Sequence, residues 1–352
     1  KEYLHFICYV ANITDKKNIM QDFYGFFNNG DALLKVFIFV FITAISLVIA
    51  KKIFFRWKFV DKPNFRSNHK KPVALGGGII IIPLIIIFSF LNNYIWNLNI
   101  LISILILFFI SMWDDLKNIK PVPRLFFHFL AVTIYVIFYL NSQIDNDFID
   151  NKNILFIFSV FLIFGIVWFI NAFNFMDGIN GITSVQVISI CLSLLALDYY
   201  INNEINILAF SVLIIILVFC YFNWTPASIF LGDAGSIPLG FIVFVLLTDY
   251  ALKGMWIISA ILPLYYLMDT SITLIKRVYK RQRFWEAHKE HFYQQAIKNG
   301  FSHSSVSLKL LIVNIGLFSL SFYSYIYKND IIIFIIALVW CSLFMYIFSK
   351  NK

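Results

Sequence analysis

Four carboxylates define the chemistry open to this chain: the adjacent pair Asp114 and Asp115, then Asp177 and Asp233, each in a short polar stretch between long apolar runs. Neighbouring carboxylates at a membrane boundary repel, which favours a bound divalent cation or a raised pKa on one of them. Either state serves phosphoryl chemistry. In Gly232-Asp233-Ala234-Gly235-Ser236 the glycines remove side-chain bulk, so Asp233 is the better single metal-ligand candidate. Asp177 stands in Asn171-Ala-Phe-Asn174-Phe-Met-Asp177-Gly178-Ile-Asn180-Gly181, where amides beside an acid offer donors and acceptors suited to a nucleobase or a sugar.

Cationic side chains accompany the acids. Lys70 lies in Asp61-Lys-Pro-Asn64-Phe-Arg66-Ser-Asn-His69-Lys70, ahead of Gly76-Gly77-Gly78, a glycine run whose backbone N–H groups could approach an anion at a helix start. Lys117 and Lys120 follow the Asp pair, and Arg281, Arg283, His288 and His291 share the longest polar gap. His288 and His291, three apart, fall on one helical face. Two histidines without a third ligand make a weak zinc site, so with the arginines they fit a diphosphate better. Each stretch taken alone also has a plain structural reading: a basic membrane anchor, an Asp pair offset by Lys117 and Lys120, a tight turn, a helix N-cap at Asp233, and an amphipathic interface helix.

The elements that must position these groups are membrane helices. The 352 residues are 61% hydrophobic, 19% aromatic and 13% charged, with a mean hydropathy of +0.81, well beyond a soluble domain. Apolar runs near 33–53, 77–92, 96–112, 125–140, 154–170, 182–198, 205–222, 236–249, 255–275, 306–327 and 331–348 predict an all-α polytopic protein of about 10–11 transmembrane helices. No gap is long enough for a second folded core, which gives an N-terminal segment, 1–32, and one transmembrane domain, 33–349. Residues 1–32 are weakly patterned, and no cleavage-site pattern of a signal peptide is expected there. Cys8, Cys191, Cys220 and Cys341 are dispersed and read as small packing residues rather than bridges or ligands.

Lysine and arginine crowd the gap after the first helix, which the positive-inside rule makes cytoplasmic. Alternation then places 54–76, 113–124, 171–181, 223–235 and 276–305 on that side, while Asp145, Asp147, Asp150, Glu204, Asp249 and Asp330 mark the other. The net charge of +9 falls in these short loops, so it points to phosphate and membrane and not to nucleic acid. All chemistry-bearing stretches share one face, the pattern of a dissolved reactant meeting a membrane-resident one. An ion-coupled transporter, the alternative, would place acids at mid-membrane depth in paired repeats. Asp269 is the clear mid-helix acid, read as a packed residue near the inner face. A CDP-alcohol phosphotransferase would need an aspartate array after Asp177-Gly178 that the chain lacks.

Taken in order from about Asp61 to His303, the stretches resemble the polyprenyl-phosphate N-acetylhexosamine-1-phosphate transferases (glycosyltransferase family 4). The motifs are D-x-P-N-x-R-x-x-H with its GGG, Asp114-Asp115, N-x-x-N-x-x-D-G-x-x-G, G-D-x-G-S and H-x-x-H-x-Y-Q. The H-x-x-H form is closer to the O-antigen-initiating branch than to the peptidoglycan translocase. Asn180 stands where bacterial members commonly have a second Asp.

The resemblance implies transfer of a sugar-1-phosphate from a UDP-N-acetylamino sugar to undecaprenyl phosphate at the cytoplasmic face of a bacterial inner membrane. That would be the first membrane step of an envelope glycan such as O-antigen or teichoic acid. It implies Mg²⁺, replaceable by Mn²⁺, with Asp233 as principal ligand and Asp115 close by and contributing to the metal environment, and Asp114 keeping the lipid phosphate deprotonated and oriented. Asp177, Asn174 and Asn180 would hold the nucleoside and sugar, and Arg281, Arg283, His288 and His291 the diphosphate. Lys70, Lys117 and Lys120 would be further phosphate contacts, and a homodimer is compatible with all of this.

Overall fold

Backbone N–H and C=O groups find no partner in hydrocarbon, so an apolar run of about 20 residues crosses a bilayer as a helix. The computed structural model, which describes residues 30–61, 72–143, 152–283 and 288–350, shows that outcome. The helices are α1 (Gly30–Arg56), α2 (Gly77–Leu91), α3 (Leu98–Lys117), α4 (Pro121–Tyr135), α5 (Lys152–Phe175), α6 (Ile182–Asn202), α7 (Ile207–Asn223), α8 (Asp233–Leu252), α9 (Trp256–Ile261), α10 (Leu264–Tyr279), α11 (Phe292–Lys298), α12 (His303–Tyr327) and α13 (Asp330–Ser349). A π-helical turn, Val136–Leu140, extends α4. The protein is all-α and polytopic. Among the described residues eight helices are long and apolar enough to cross a membrane, and α2 and α7 are shorter apolar helices. Lys70 and most of the N-terminal segment, 1–29, lie outside the described residues.

The single helix expected over 255–275 is two. Pro263 separates α9 from α10, since proline has no N–H to continue the ladder. The carbonyl of Leu262 at the break accepts from Gln186 Nε2 of α6 at 3.2 Å, and Asn314 Nδ2 of α12 donates to Gln186 Oε1 at 3.1 Å. The break is thus stitched to two neighbouring helices, and α10, which carries Asp269 and Arg277, starts its own course.

α8 is the central helix. It packs against α2, α3, α5 and α9, and 78% of its apolar window is buried inside the protein, against 22% for α1 at the periphery. A helix sheathed in protein can present polar groups at its end without exposing them to lipid. Before α2, Val60–Asp61 pairs antiparallel with Val73–Ala74. Phe230 N donates to Ala74 O, Gly77 N to Phe230 O and Gly78 N to Leu231 O, each at 2.8 Å. The N–H groups of Gly77 and Gly78, expected to be open to an anion, are therefore bonded within the fold.

The glycines serve close packing instead. A Cβ on Gly78 would lie 2.1 Å from Gly235 N and 2.2 Å from its Cα, with backbone on both sides unable to yield. Gly78→Ala is expected to destabilise the protein by about 1–3 kcal/mol, read as a lower unfolding temperature in detergent; an unchanged temperature would mean that α2 and α8 do not cross this closely. The up-and-down course brings the C-terminal ends of α3, α5, α7 and α10 and the N-terminal ends of α4, α6, α8 and α12 to one end of the bundle.

Candidate active site

The first turn of α8 lacks a side-chain cap, because Gly232 before it has none to give. Helix N-termini leave free N–H groups and partial positive charge. Here they are met from another helix: Asp233 N and Ala234 N donate to Asp115 Oδ1 and Oδ2, both at 2.9 Å. Gly232 has φ +76, and a Cβ there would meet Asp115 Oδ2 at 2.6 Å, so glycine is required twice over. Asp115, in the last turn of α3, thereby fixes where Asp233 sits.

Asp114 is buried, 8% exposed. Its Oδ1 accepts from Ile119 N at 2.7 Å, closing the turn behind α3, and its Oδ2 accepts from Arg124 Nη1 at 2.6 Å. The same Nη1 lies 3.1 Å from Asp233 Oδ2. One guanidinium thus stands between two acids 119 positions apart in sequence (233 − 114). Lys117 and Lys120, the expected counter-charges, are exposed and form no ion pair among the described residues. Arg124 was visible in the same stretch. Its signal was Pro121, which starts α4 and sets Arg124 in the first turn.

The loop after α5 is held from three sides. Asn174 Oδ1 accepts from Ser236 Oγ of α8 at 2.6 Å, and Asn180 Nδ2 donates to Thr225 Oγ1 at 3.3 Å. Gly181 N donates to Asn223 Oδ1 at the end of α7 at 2.8 Å, and Ser307 Oγ of α12 to Asn180 O at 2.9 Å. Asn180 Oδ1 is buried without a partner among the described residues. The Asp177 carboxyl is pushed up to about 6 by burial, with Thr183 pulling it down and the charge of Asp233 pushing it further up.

The histidine segment joins the same end. Arg277 of α10, buried, pairs with Glu290, and its Nη2 donates to Arg283 O at 2.9 Å. Glu290 N donates to His288 Nδ1 at 3.3 Å. Burial, then the neighbouring His291 and Arg277 charges, push the His288 imidazole down to about 4. His288 is therefore neutral at pH 7, a donor through Nε2–H rather than a cation. The rings of His288 and His291 stack at 4.9 Å, and Tyr293 OH donates to Phe175 O at 3.0 Å, beside the Asp177 loop. Arg281 and Arg283 are exposed. Arg124, Asn223, Asp269 and Arg277 are the residues that sequence reasoning did not single out as part of the site.

Among the described residues no three His, Cys, Asp or Glu side chains form a ready-made metal cage. Mg²⁺ does not need one, since it binds through one or two carboxylates together with substrate phosphates and water. Asp233, partly exposed and touched through Oδ2 by Arg124, fits that manner of binding. Both oxygens of Asp115 accept backbone N–H groups and so hold Asp233 in place, and the lone pairs that remain on them would let Asp115 contribute to the surroundings of a metal on Asp233.

Fold and cluster together define a multi-pass membrane protein with acids, amides and a guanidinium gathered at one end of its bundle. Residues 97–251 match the model of glycosyl transferase family 4. That stretch runs through Asp114, Asp115, Asp177 and Asp233. Over that stretch the chain is similar to this family. It is 24% identical over 314 residues to a probable undecaprenyl-phosphate N-acetylglucosaminyl 1-phosphate transferase of Bacillus subtilis, covering 84% of this chain and 83% of the relative. It is 28% identical over 290 residues to an undecaprenyl-phosphate alpha-N-acetylglucosaminyl 1-phosphate transferase of Salmonella typhi, 77% of each. It is 33% identical over 213 residues to a phospho-N-acetylmuramoyl-pentapeptide-transferase of Buchnera aphidicola, 51% of this chain and 63% of that one.

Proposed function

We propose that this protein transfers an N-acetylhexosamine-1-phosphate from a UDP-sugar to undecaprenyl phosphate, yielding UMP and an undecaprenyl-pyrophosphoryl sugar. The observation that carries this reading is the convergence of Asp114, Asp115, Arg124, Asp177, Asp233 and the histidine segment at one end of the bundle. The basic bias of the loops at that end supports a cytoplasmic face of a bacterial inner membrane. The transporter reading is not favoured, since the acids of the cluster stand at helix ends.

A second feature fits a lipid acceptor. Between α5 and α10 runs an almost wholly apolar groove of about 510 Å³, lined by Trp168, Ser271, Leu274, Ile275, Val278 and Tyr279. α10 thus presents an apolar face to this groove while Arg277 and Asp269 on its other side brace the histidine segment. An isoprenoid chain in the groove would keep its phosphate at the level of the acids.

In the reaction an oxygen of the lipid phosphate bonds to the β-phosphorus of the UDP-sugar, and the bond to the bridging oxygen breaks, releasing UMP. The lipid phosphate has a second pKa near 6, so at neutral pH it needs little base catalysis. Repulsion between the two anions is the main obstacle. Mg²⁺ (or Mn²⁺) on Asp233 would supply charge neutralisation. Arg124 contributes a fixed cation beside it, oriented by Asp114. Asp177, Asn174 and Asn180 receive the nucleoside and sugar, and His288 and His291 flank the diphosphate. Lys117, Lys120, Arg281 and Arg283, all exposed, form a basic rim that draws in the donor, and Lys70 is a further candidate phosphate contact.

The test is purified protein in detergent with a panel of UDP-sugars, undecaprenyl phosphate and Mg²⁺, read as UMP release and lipid-linked product. No product with any donor would overturn the reading. In the same assay Ile275→Arg, which puts a charge in the groove, is expected to raise KM for the lipid about 10-fold or more and leave KM for the UDP-sugar unchanged. Equal effects on both substrates would remove the groove from the proposal.

The diphosphate of a UDP-sugar does not titrate near pH 6, so a change in its binding there belongs to the protein, and comparison with Asp177→Asn gives the share of Asp177. A protonated Asp177 cannot accept from the ligand with both oxygens, and its carboxyl loses its proton at about pH 6. UDP-sugar binding, followed by calorimetry, is expected to strengthen as pH rises from 5 to 7, with Asp177→Asn abolishing the rise. A pH-independent affinity in the unaltered protein would take Asp177 out of the donor site.

A further inference from the structure

One acid of the fold is not used by the reaction above. Asp269, in the middle of α10, is completely buried, and lone buried carboxylates are costly unless several donors meet them. Its Oδ1 accepts from Phe292 N at 3.0 Å and lies 3.1 Å from His291 Nδ1 and 3.3 Å from Thr273 Oγ1. Its Oδ2 accepts from Tyr293 N at 3.2 Å and from Tyr265 OH at 3.4 Å. The donors come from α10 itself and from the start of α11, which follows the histidine segment. A membrane-embedded helix therefore grips a loop-borne element through one side chain.

We propose that Asp269 is the positioning residue of the histidine segment: it holds His291 with the proton on Nδ1 and so presents Nε2 to the donor substrate. This rests on the transferase reading above. An ionised carboxylate only accepts, so the imidazole nitrogen facing it carries the hydrogen. Nε2 takes no hydrogen bond among the described residues and is the nitrogen left for a ligand, whether as acceptor or, in the doubly protonated ring, as donor. The hold extends further. Tyr293, gripped at its N–H by Asp269, reaches through its hydroxyl to Phe175 O, and a Cβ on Gly178 would lie 2.1 Å from that hydroxyl. His291, Tyr293 and the Asp177 loop are thus set at one spacing by the carboxylate on α10. A residue that merely capped α11 would need its oxygens on Phe292 N and Tyr293 N and would be indifferent to the tautomer of His291.

The test uses the full chain in detergent with ¹⁵N-labelled histidine, the His291 signals being assigned by their loss in His291→Gln. The ring shifts of the unaltered protein are expected to show protonated Nδ1; a neutral ring protonated on Nε2 would overturn the proposal. Asp269→Asn is expected to raise KM for the UDP-sugar about 10-fold or more, to leave KM for undecaprenyl phosphate within about twofold and to change the His291 ring shifts, with Asp269→Glu recovering part of the loss. A fall in kcat alone, with KM and ring shifts unchanged, would also overturn it. If Asp269→Asn does not fold, the shifts of the unaltered protein decide. Absence of turnover in the unaltered protein would refute the transferase reading, while the tautomer would still report on Asp269.

Discussion

Asp233→Asn is expected to lower kcat about 10²–10³-fold while KM for the UDP-sugar stays within a few-fold. The substitution keeps size and shape, and the helix N-terminus at Asp233 remains capped by Asp115, whose contacts are to backbone. What disappears is the negative charge of the partly exposed carboxylate proposed to hold Mg²⁺. That charge matters most when two anionic phosphates are forced together, so the loss belongs in the chemical step and not in donor affinity. Turnover near that of the unaltered protein at saturating Mg²⁺ would remove Asp233 from the metal site. An unchanged unfolding temperature would show that activity was not lost through the fold.

Arg124→Gln is expected to lower kcat by a similar factor, about 10²-fold or more, and at the same time to lower the Mg²⁺ concentration needed for half-maximal rate. The two effects have opposite signs for a physical reason. Arg124 Nη1 sits 2.6 Å from Asp114 and 3.1 Å from Asp233, so the guanidinium and the proposed divalent cation would share the same carboxylate. Removing the guanidinium removes a fixed positive charge from the reacting phosphates and also removes a competitor for the metal. Arg124→Lys should recover part of kcat, because a point charge replaces the fork only incompletely. Loss of kcat with no change in Mg²⁺ dependence would mean that Arg124 does not share Asp233 with the metal. Some destabilisation accompanies the loss, since Asp114 is left buried without its partner.

The acids were legible in the sequence because their surroundings are not: a polar stretch between two bilayer-length apolar runs has few explanations. Asp114, Asp115, Asp177 and Asp233 do meet, and the side assignment by lysine and arginine anticipated that they would share one end. Their individual tasks were not legible. Asp115 and Asp233 look equivalent as carboxylates, yet one is turned to backbone N–H groups and the other stays partly open. The glycine run at 76–78 shows how a correct composition signal can point to the wrong use. Small residues permit close approach of anything, and here what approaches Gly78 is the backbone of Gly235, not an anion. The pair Lys117 and Lys120 looked like the counter-charges by proximity in sequence; Arg124 has that position because Pro121 starts a new helix.

Apolar periodicity and length by themselves determined that this chain crosses a membrane as helices, because hydrocarbon leaves the backbone no alternative. Loop charge determined which gaps lie together, and the motif order carried the resemblance to the family. Tertiary structure alone decided which acid caps a helix and which one stays open, that Arg124 bridges Asp114 and Asp233, and that Asp269 of α10 grips His291. Those are contacts between residues tens to more than a hundred positions apart, and their geometry depends on how α3, α4, α8 and α10 pack, which no local pattern encodes.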